Sequence, residues 1–155
     1  AEWGWTPLHA SWLVAILNLV TLPASLLVGL IGDRFSRPVS LTLSAGLLAL
    51  GLVGMVIMPP ATGWLWVVIA GFACGLLFPL ILTMSVDAAH GPRDAGAVAG
   101  VTLARGYCVA SVAPVMLGIV RDVTHNFATA FSLLTAVSLL LLLASFYLLR
   151  RPTLR

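Results

Sequence analysis

The sequence predicts an all-α polytopic membrane protein with five transmembrane helices, and two observations lead to this prediction. Hydrophobic residues make up 61% of the 155 residues and charged residues only 8%, with a mean hydropathy of +1.10. A soluble domain carries roughly a quarter charged residues, so this surface has too few charges for water and must face lipid. The second observation is a series of long apolar runs separated by short polar segments.

Five apolar runs are each long enough for a helix to cross the hydrocarbon core, which takes about 20 residues. The segments between them are GDRFSRP, PPATG, AAHGPRD and RDVTHN, all rich in residues typical of turns. The runs do not alternate between polar and apolar positions and are too long for membrane β-strands. We therefore predict one bundle over residues 1–155, with helices over about 8–31, 39–58, 64–86, 95–119 and 127–149.

The arginines indicate how the helices are oriented in the membrane. All eight basic residues are arginine. Six follow the first, third or fifth helix, whereas Arg121 is the one arginine in the segments of the opposite side. Basic residues concentrate on the cytoplasmic side, which predicts a cytoplasmic C-terminus. We also expect this integral membrane protein to lie in the plasma (inner) membrane. The six are Arg34, Arg37, Arg93, Arg150, Arg151 and Arg155.

Several classes of function lack the residues that they need. His9, His90 and His125 show no metal-ligand spacing, and Cys74 and Cys108 form no CxxC pair. The sequence contains no GxSxG, no phosphate-binding loop, no HExxH and no pair of acids within an apolar run. No basic stripe exists to bind phosphates of nucleic acid. We expect no enzyme activity, no cofactor, no metal site and no nucleic-acid partner.

The first helix carries a row of polar residues at membrane depth. Ser11, Asn18, Thr21 and Ser25 are spaced seven, three and four residues apart, which places them on one helical face. Such groups need a polar partner or water. This face therefore either lines a cavity or forms hydrogen bonds that hold the bundle together.

Prolines separate the helices into two groups. Pro23, Pro79 and Pro114 lie in the first, third and fourth helices, where each removes a backbone hydrogen bond. We expect these three helices to line a cavity and the second and fifth to face lipid. The small-residue spacings Gly71xxxGly75 and Gly96xxxGly100 predict close helix packing.

Arg105 is the one ionisable residue deep within an apolar run. It lies about ten residues into the predicted fourth helix, roughly 15 Å deep at 1.5 Å per residue. An arginine at the bilayer centre costs about 2.5–3.5 kcal/mol on insertion scales. One compensating partner is an anionic or polar solute in a central cavity. The other is Asp87 at the cytoplasmic end of the third helix, which would make Arg105 part of a structural ion pair.

The segment GDRFSRP between two spanning helices resembles the cytoplasmic loop motif of the major facilitator superfamily, G-x-x-x-D-R-x-x-R. In this sequence Ser36 replaces the usual glycine of the motif, and Pro38 replaces a usual basic residue. The matching positions are Gly29, Asp33, Arg34 and Arg37.

The later helices resemble the tenth and eleventh helices of the cyanate/2-nitroimidazole transporter branch of that superfamily. The resemblance implies that the five helices are the eighth to the twelfth of the family, and that the seventh helix and the N-terminal half are absent. The matching positions are Gly75, Pro79, Asp87, Ala95, Gly96, Gly106, Tyr107, Ala110 and Pro114. One departure concerns a Gln-Gly-apolar-Gly run of the branch, which here reads Leu103, Ala104, Arg105, Gly106.

The mechanism that this resemblance implies is alternating access, in which two helical halves expose a central site to one side at a time. Asp33 would latch the cytoplasmic side, or else it is a solvated loop acid. The predicted gating residues are Asp33, Arg34, Arg37, Asp87, Pro23, Pro79 and Pro114. The predicted substrate-binding residues are Arg105, Asn18, Thr21 and Tyr107.

The leading hypothesis is therefore a secondary active transporter of a small polar or anionic solute, such as a cyanate-like compound. Its predicted partners are the lipid bilayer, the solute and the missing N-terminal half. A non-transporting membrane subunit or scaffold derived from a truncated transporter is the alternative. A membrane-embedded enzyme is a third hypothesis, and it would need catalytic groups from another segment.

Overall fold

Each of the five predicted spans is one α-helix in the structure, a computed structural model that describes residues 7–31, 36–57, 62–89, 91–124 and 127–150. All five helices are long and apolar enough to cross a membrane. The described ranges contain no strand, so the all-α prediction is confirmed. The helices are α1 (Pro7–Ile31), α2 (Arg37–Ile57), α3 (Gly63–Asp87), α4 (Pro92–Thr124) and α5 (Phe127–Leu149).

The observed helix ends lie within two residues of the predicted ends except in α4, which begins at residue 92 instead of 95 and ends at 124 instead of 119. Its 33 residues make it about 50 Å long at 1.5 Å per residue. The charged ends had indicated loops, but their residue types also suit helix ends. Pro92 and Asp94 lie in the first turn and Arg121 in the last, where proline, an acid and a base respectively are favourable.

The helices pack side by side in the order α1, α3, α2, α5, and α4 contacts α3 and α5 less extensively. The contact between α1 and α3 shows that these two helices run parallel. Gly71 lies against Leu17, and one turn further along both helices Gly75 lies against Thr21 and Ala24. Of the two glycine pairs that predicted close packing, Gly71 and Gly75 therefore form the α1–α3 contact, whereas no described atom would lie within 4 Å of a Cβ added to Gly96 or Gly100.

The contact between α2 and α3 also depends on glycines, and here the helices run antiparallel. Gly51 of α2 lies against the backbone of Ala70, and Gly54 lies beneath the indole ring of Trp66. The larger side chains around this contact form the core of the bundle, in which Met55 is 9% exposed. Further members of this cluster are Val67, Leu13, Leu17, Leu48, Leu52 and Phe131.

The packing of α2 bears on the prediction that this helix faces lipid. Because α2 lies between α3 and α5, protein covers two of its sides and buries Leu41, Ala45 and Ala49. Leu43 and Leu50 remain exposed. The prediction can therefore apply to one side of α2 only. Hydropathy alone missed this because lipid and apolar side chains favour the same residues.

Candidate functional site

Arg105 lies in the middle of α4, on a helix that the rest of the chain covers little. The spanning part of α4 runs from Arg93 to Thr124, and none of its residues is buried. Arg105 is about 5 Å along the helix axis from the middle of that span. Its side chain is exposed, so the guanidinium group of Arg105 is open to whatever lies beside α4 in the membrane.

The carboxylate that sequence reasoning offered to Arg105 has a different partner in the structure. Asp87 Oδ2 lies 3.0 Å from Nε of Arg37, which joins the end of α3 to the beginning of α2. No carboxylate of the described residues lies within 4 Å of Arg105. The Arg105–Asp87 pair is therefore not formed. The two residues are too far apart to pair. Asp87 is the last residue of α3, whereas Arg105 lies about 20 Å along α4 from its first residue, Pro92.

Tyr107 does not share a helix face with Arg105. The two residues are two positions apart on an uninterrupted helix, which rotates by about 100° per residue. Their side chains therefore leave α4 in nearly opposite directions. Cys108, by contrast, is three positions from Arg105 and lies on a neighbouring strip of the same helix face. Both Arg105 and Cys108 are exposed.

In the polar row of α1, Asn18 lies beside the α3 contact, whereas the backbone of Thr21 lies within it. Leu17 contacts α3, and Asn18 is rotated by about 100° from it and is exposed. The Asn18 amide donates a hydrogen bond to the Val14 carbonyl oxygen at 2.8 Å, and the Thr21 hydroxyl donates to the Asn18 carbonyl oxygen at 2.6 Å. These groups bond within α1, so Asn18 and Thr21 do not link α1 to another described helix.

The predicted substrate-binding residues occupy two helices with little or no direct contact. α1 carries Asn18 and Thr21, and α4 carries Arg105 and Tyr107. Both helices contact α3, which is therefore the element that sets their relative position. The structure brings Asn18 and Thr21 together and places Arg105 apart from them, on a helix that has no extensive contact with α1.

The three prolines lie inside continuous helices: Pro23 in α1, Pro79 in α3 and Pro114 in α4. Proline cannot donate to the carbonyl four residues earlier, which leaves the carbonyls of Leu19, Gly75 and Ala110 without that bond. Each freed carbonyl weakens its helix locally and permits bending. The helices remain unbroken at all three positions.

A cavity of about 240 Å³ lies between α4 and α5. It contains none of the residues predicted to bind substrate, and apolar side chains form most of its wall. No group of three histidine, cysteine or acidic residues in the described ranges could hold a metal ion. Asp33 and Arg34 lie outside the described residues. The cavity is lined by Leu117, Gly118, Arg121, Ala130, Phe131 and Leu134.

Two contacts between helices were not predicted from the sequence. One is the Arg37–Asp87 ion pair, because the sequence offered Arg105 as the partner of Asp87. The other is the Gly51 and Gly54 contact with α3. Glycines three positions apart in a helix could have indicated that contact, since small residues permit close helix approach.

Comparison with known proteins agrees with this architecture. The sequence model of the Major Facilitator Superfamily matches residues 1–155. The cyanate transport protein CynX of Escherichia coli (strain K12) is 27% identical over 155 residues, which are 99% of this chain and 40% of that protein. The uncharacterized transporter YycB of Bacillus subtilis (strain 168) is 27% identical over 129 residues, which are 82% of this chain and 32% of that protein.

The chain therefore spans less than half the length of these two relatives. No solved structure shows significant similarity to it. The resemblance noted from the loop motif and the later helices is confirmed at the level of the superfamily and of similarity to a cyanate transport protein.

Proposed function

The chain belongs to the major facilitator superfamily, and we propose that it forms part of a secondary active transporter that moves a small anionic solute by alternating access. The observation that supports this proposal most directly is the unpaired arginine in the middle of α4. Of the described charged residues, the others lie at helix ends: Arg37, Asp87, Arg93, Asp94, Arg121, Asp122 and Arg150.

The chemistry of Arg105 favours an anion as the solute. An arginine at membrane depth faces a cavity or a partner in nearly all cases, because lipid solvates it poorly. Its guanidinium group is always charged and presents planar donors that suit small oxyanions and carboxylates. With Asp87 engaged by Arg37, a solute anion is the partner that we propose for Arg105.

Cyanate is the first candidate because one relative, CynX, is named a cyanate transport protein. We propose a small monoanion of that kind as the substrate class. Asn18 and Thr21 remain proposed contacts, whereas Tyr107 leaves α4 in nearly the opposite direction from Arg105 and is not proposed to contact the same small solute. Asn18 has a free amide N–H and a carbonyl oxygen after its bond to Val14, which suits a polar solute.

The proposed mechanism is a movement of this bundle relative to the remaining part of the transporter. Arg37 and Asp87 would pair at the cytoplasmic ends of α2 and α3 during that movement, and Asp33 and Arg34 remain proposed gating residues. Pro23, Pro79 and Pro114 would permit helix bending. We further propose insertion in the plasma (inner) membrane, a cytoplasmic C-terminus, and an N-terminal half that covers the exposed surface of α4.

The test is uptake of radiolabelled cyanate by cells that produce the full-length protein and lack other cyanate uptake. We expect saturable uptake that Arg105→Gln reduces at least tenfold. Arg121→Gln is the matched control, because it removes an arginine from the same helix at a position where Asp122 lies 4.0 Å away, and it should leave uptake near the wild-type level. Equal uptake by the two variants would contradict the role of Arg105.

A second measurement addresses the water access of Arg105 without using a substrate. Cys108 is a native thiol one helical turn from Arg105, and Cys74→Ser leaves it as the one thiol of this chain. We expect a charged, membrane-impermeant methanethiosulfonate to label Cys108 in the full-length protein, provided that the thiols of its other segments are replaced. If the reagent labels Cys108 from neither side of the membrane, this face of α4 contacts lipid or protein and not water, which would contradict a water-accessible Arg105.

A further inference from the structure

Among the described glycines, Gly75 of α3 lies nearest to the backbone of a neighbouring helix, which is α1. A Cβ atom added to Gly75 would lie 2.5 Å from the carbonyl oxygen of Thr21 and 2.7 Å from the Cβ of Ala24. At Gly71 the added atom would lie 2.9 Å from the carbonyl oxygen of Leu17. Backbone atoms cannot rotate away as side-chain ends can, so any side chain at Gly75 must move α1 itself.

The position of α1 matters because the polar row of this helix lies directly beside the contact. Thr21 supplies the backbone oxygen that Gly75 meets, and its hydroxyl donates to the Asn18 carbonyl oxygen. A displacement of α1 at Thr21 therefore displaces Asn18 by a similar amount. No hydrogen bond holds Asn18 or Thr21 to another described helix, so helix packing, which for α1 is chiefly against α3, sets where they lie.

We propose that Gly75 is a positioning residue of the transporter, which holds the Asn18–Thr21 edge of α1 at a fixed place relative to α3. This inference rests on the proposed function, because it assigns Asn18 and Thr21 to the solute pathway. Gly75 touches no solute. It acts through the backbone of α1.

The displacement that Gly75→Ala requires follows from the contact distances. Ordinary van der Waals contact with a Cβ begins at 3.4 Å, and the added methyl would start at 2.5 Å from the Thr21 oxygen, so α1 must move by about 0.9 Å. A misplacement of about 1 Å can reduce the rate of a positioned reaction about 100-fold. For a solute held by fewer contacts we expect at least a tenfold increase in the KM for cyanate.

The experiment compares three glycine-to-alanine variants of the full-length protein by cyanate uptake. Gly46→Ala is the matched control, since its added methyl would lie 3.8 Å from Leu142 Cδ1, which is ordinary contact. Gly71→Ala requires a smaller movement than Gly75→Ala. We expect the KM to rise in the order Gly46→Ala, Gly71→Ala, Gly75→Ala, with Gly46→Ala equal to wild type. If Gly75→Ala does not reach the membrane, the KM of Gly71→Ala decides.

The KM and the amount of membrane protein together distinguish positioning from a general loss of folded protein. Ala24→Gly removes the Ala24 Cβ but leaves the Thr21 backbone oxygen that the new methyl of Gly75→Ala would meet at 2.5 Å, so the double variant should keep the raised KM. A lower amount of membrane protein with an unchanged KM would show that Gly75 is merely structural. An unchanged KM in both Gly71→Ala and Gly75→Ala would also overturn the proposal.

A measurement that does not involve transport separates this inference from the proposed function. The measurement uses an Asn18→Cys variant in which all other cysteines are replaced. The rate at which an impermeant thiol reagent labels this cysteine reports how accessible position 18 of α1 is. We expect Gly75→Ala to change that rate at least threefold and Gly46→Ala to leave it unchanged. If wild-type protein takes up no cyanate but the labelling rate changes as expected, the cyanate proposal fails and the α1 displacement stands. An unchanged labelling rate would overturn the inference.

Discussion

Replacing Arg105 with leucine separates the two roles that an intramembrane arginine can have. Arg105 lies about 5 Å from the middle of the Arg93–Thr124 span, where arginine costs about 2.5–3.5 kcal/mol on insertion scales. Leucine at the same depth is favourable by about 0.3–0.6 kcal/mol. The substitution should therefore favour insertion of α4 by about 3–4 kcal/mol.

The same substitution should abolish transport. A hydrogen bond to a charged group contributes about 1.5–3 kcal/mol, which corresponds to roughly a 10- to 150-fold loss of solute affinity when the arginine is removed. We therefore expect Arg105→Leu to combine a normal or greater amount of membrane-inserted protein with cyanate uptake near background. Loss of function together with gained stability is typical of a residue retained for a solute.

The assay measures both quantities on one full-length protein, with Arg121→Leu as the control. Membrane insertion and thermal unfolding in detergent report stability, and initial rates over a range of cyanate concentrations report affinity. A structural ion pair predicts the opposite sign, because removal of one partner of a buried pair destabilises a protein by about 3–5 kcal/mol. A clear decrease in the melting temperature of Arg105→Leu with unchanged cyanate affinity would refute the reasoning.

Two further predictions concern contacts of α2. Gly51→Ala should destabilise the protein by about 1–3 kcal/mol, because the added methyl would lie 2.9 Å from the Ala70 backbone nitrogen. The control Gly46→Ala should be neutral or slightly stabilising. Equal melting temperatures of the two variants in detergent would refute this difference. Arg37 and Asp87 have side chains that are 37% and 52% exposed, so a double-mutant cycle of Arg37→Gln and Asp87→Asn should give a coupling below about 1 kcal/mol. A coupling above about 2 kcal/mol would show that water is excluded from this pair.

Less of the site than of the fold follows from the sequence, because residue spacing along one helix does not specify which residues of other helices lie beside it. The helix rotation does follow from sequence, and it already places Arg105 and Tyr107 on different faces of α4. The partner of Asp87 does not follow from it. Asp87 is far from Arg37 in sequence, and their contact depends on the antiparallel packing of α2 on α3.

The sequence by itself determined the number of helices, their approximate ends and the membrane class of the protein. These properties depend on hydropathy and length, which act locally: an apolar run of about 20 residues must satisfy its backbone hydrogen bonds as a helix in lipid. The loop motif and the later helices also indicated the superfamily before any contact was known.

Only the tertiary structure decided which helices touch and which charges pair. It placed α2 between α3 and α5, gave Asp87 to Arg37, and brought Gly75 against the backbone of Thr21. The physical reason is that apolar side chains prefer lipid and protein almost equally. The order of the helices in the membrane therefore depends on the shapes of their surfaces and on where glycine permits close approach. Hydropathy contains no information about either.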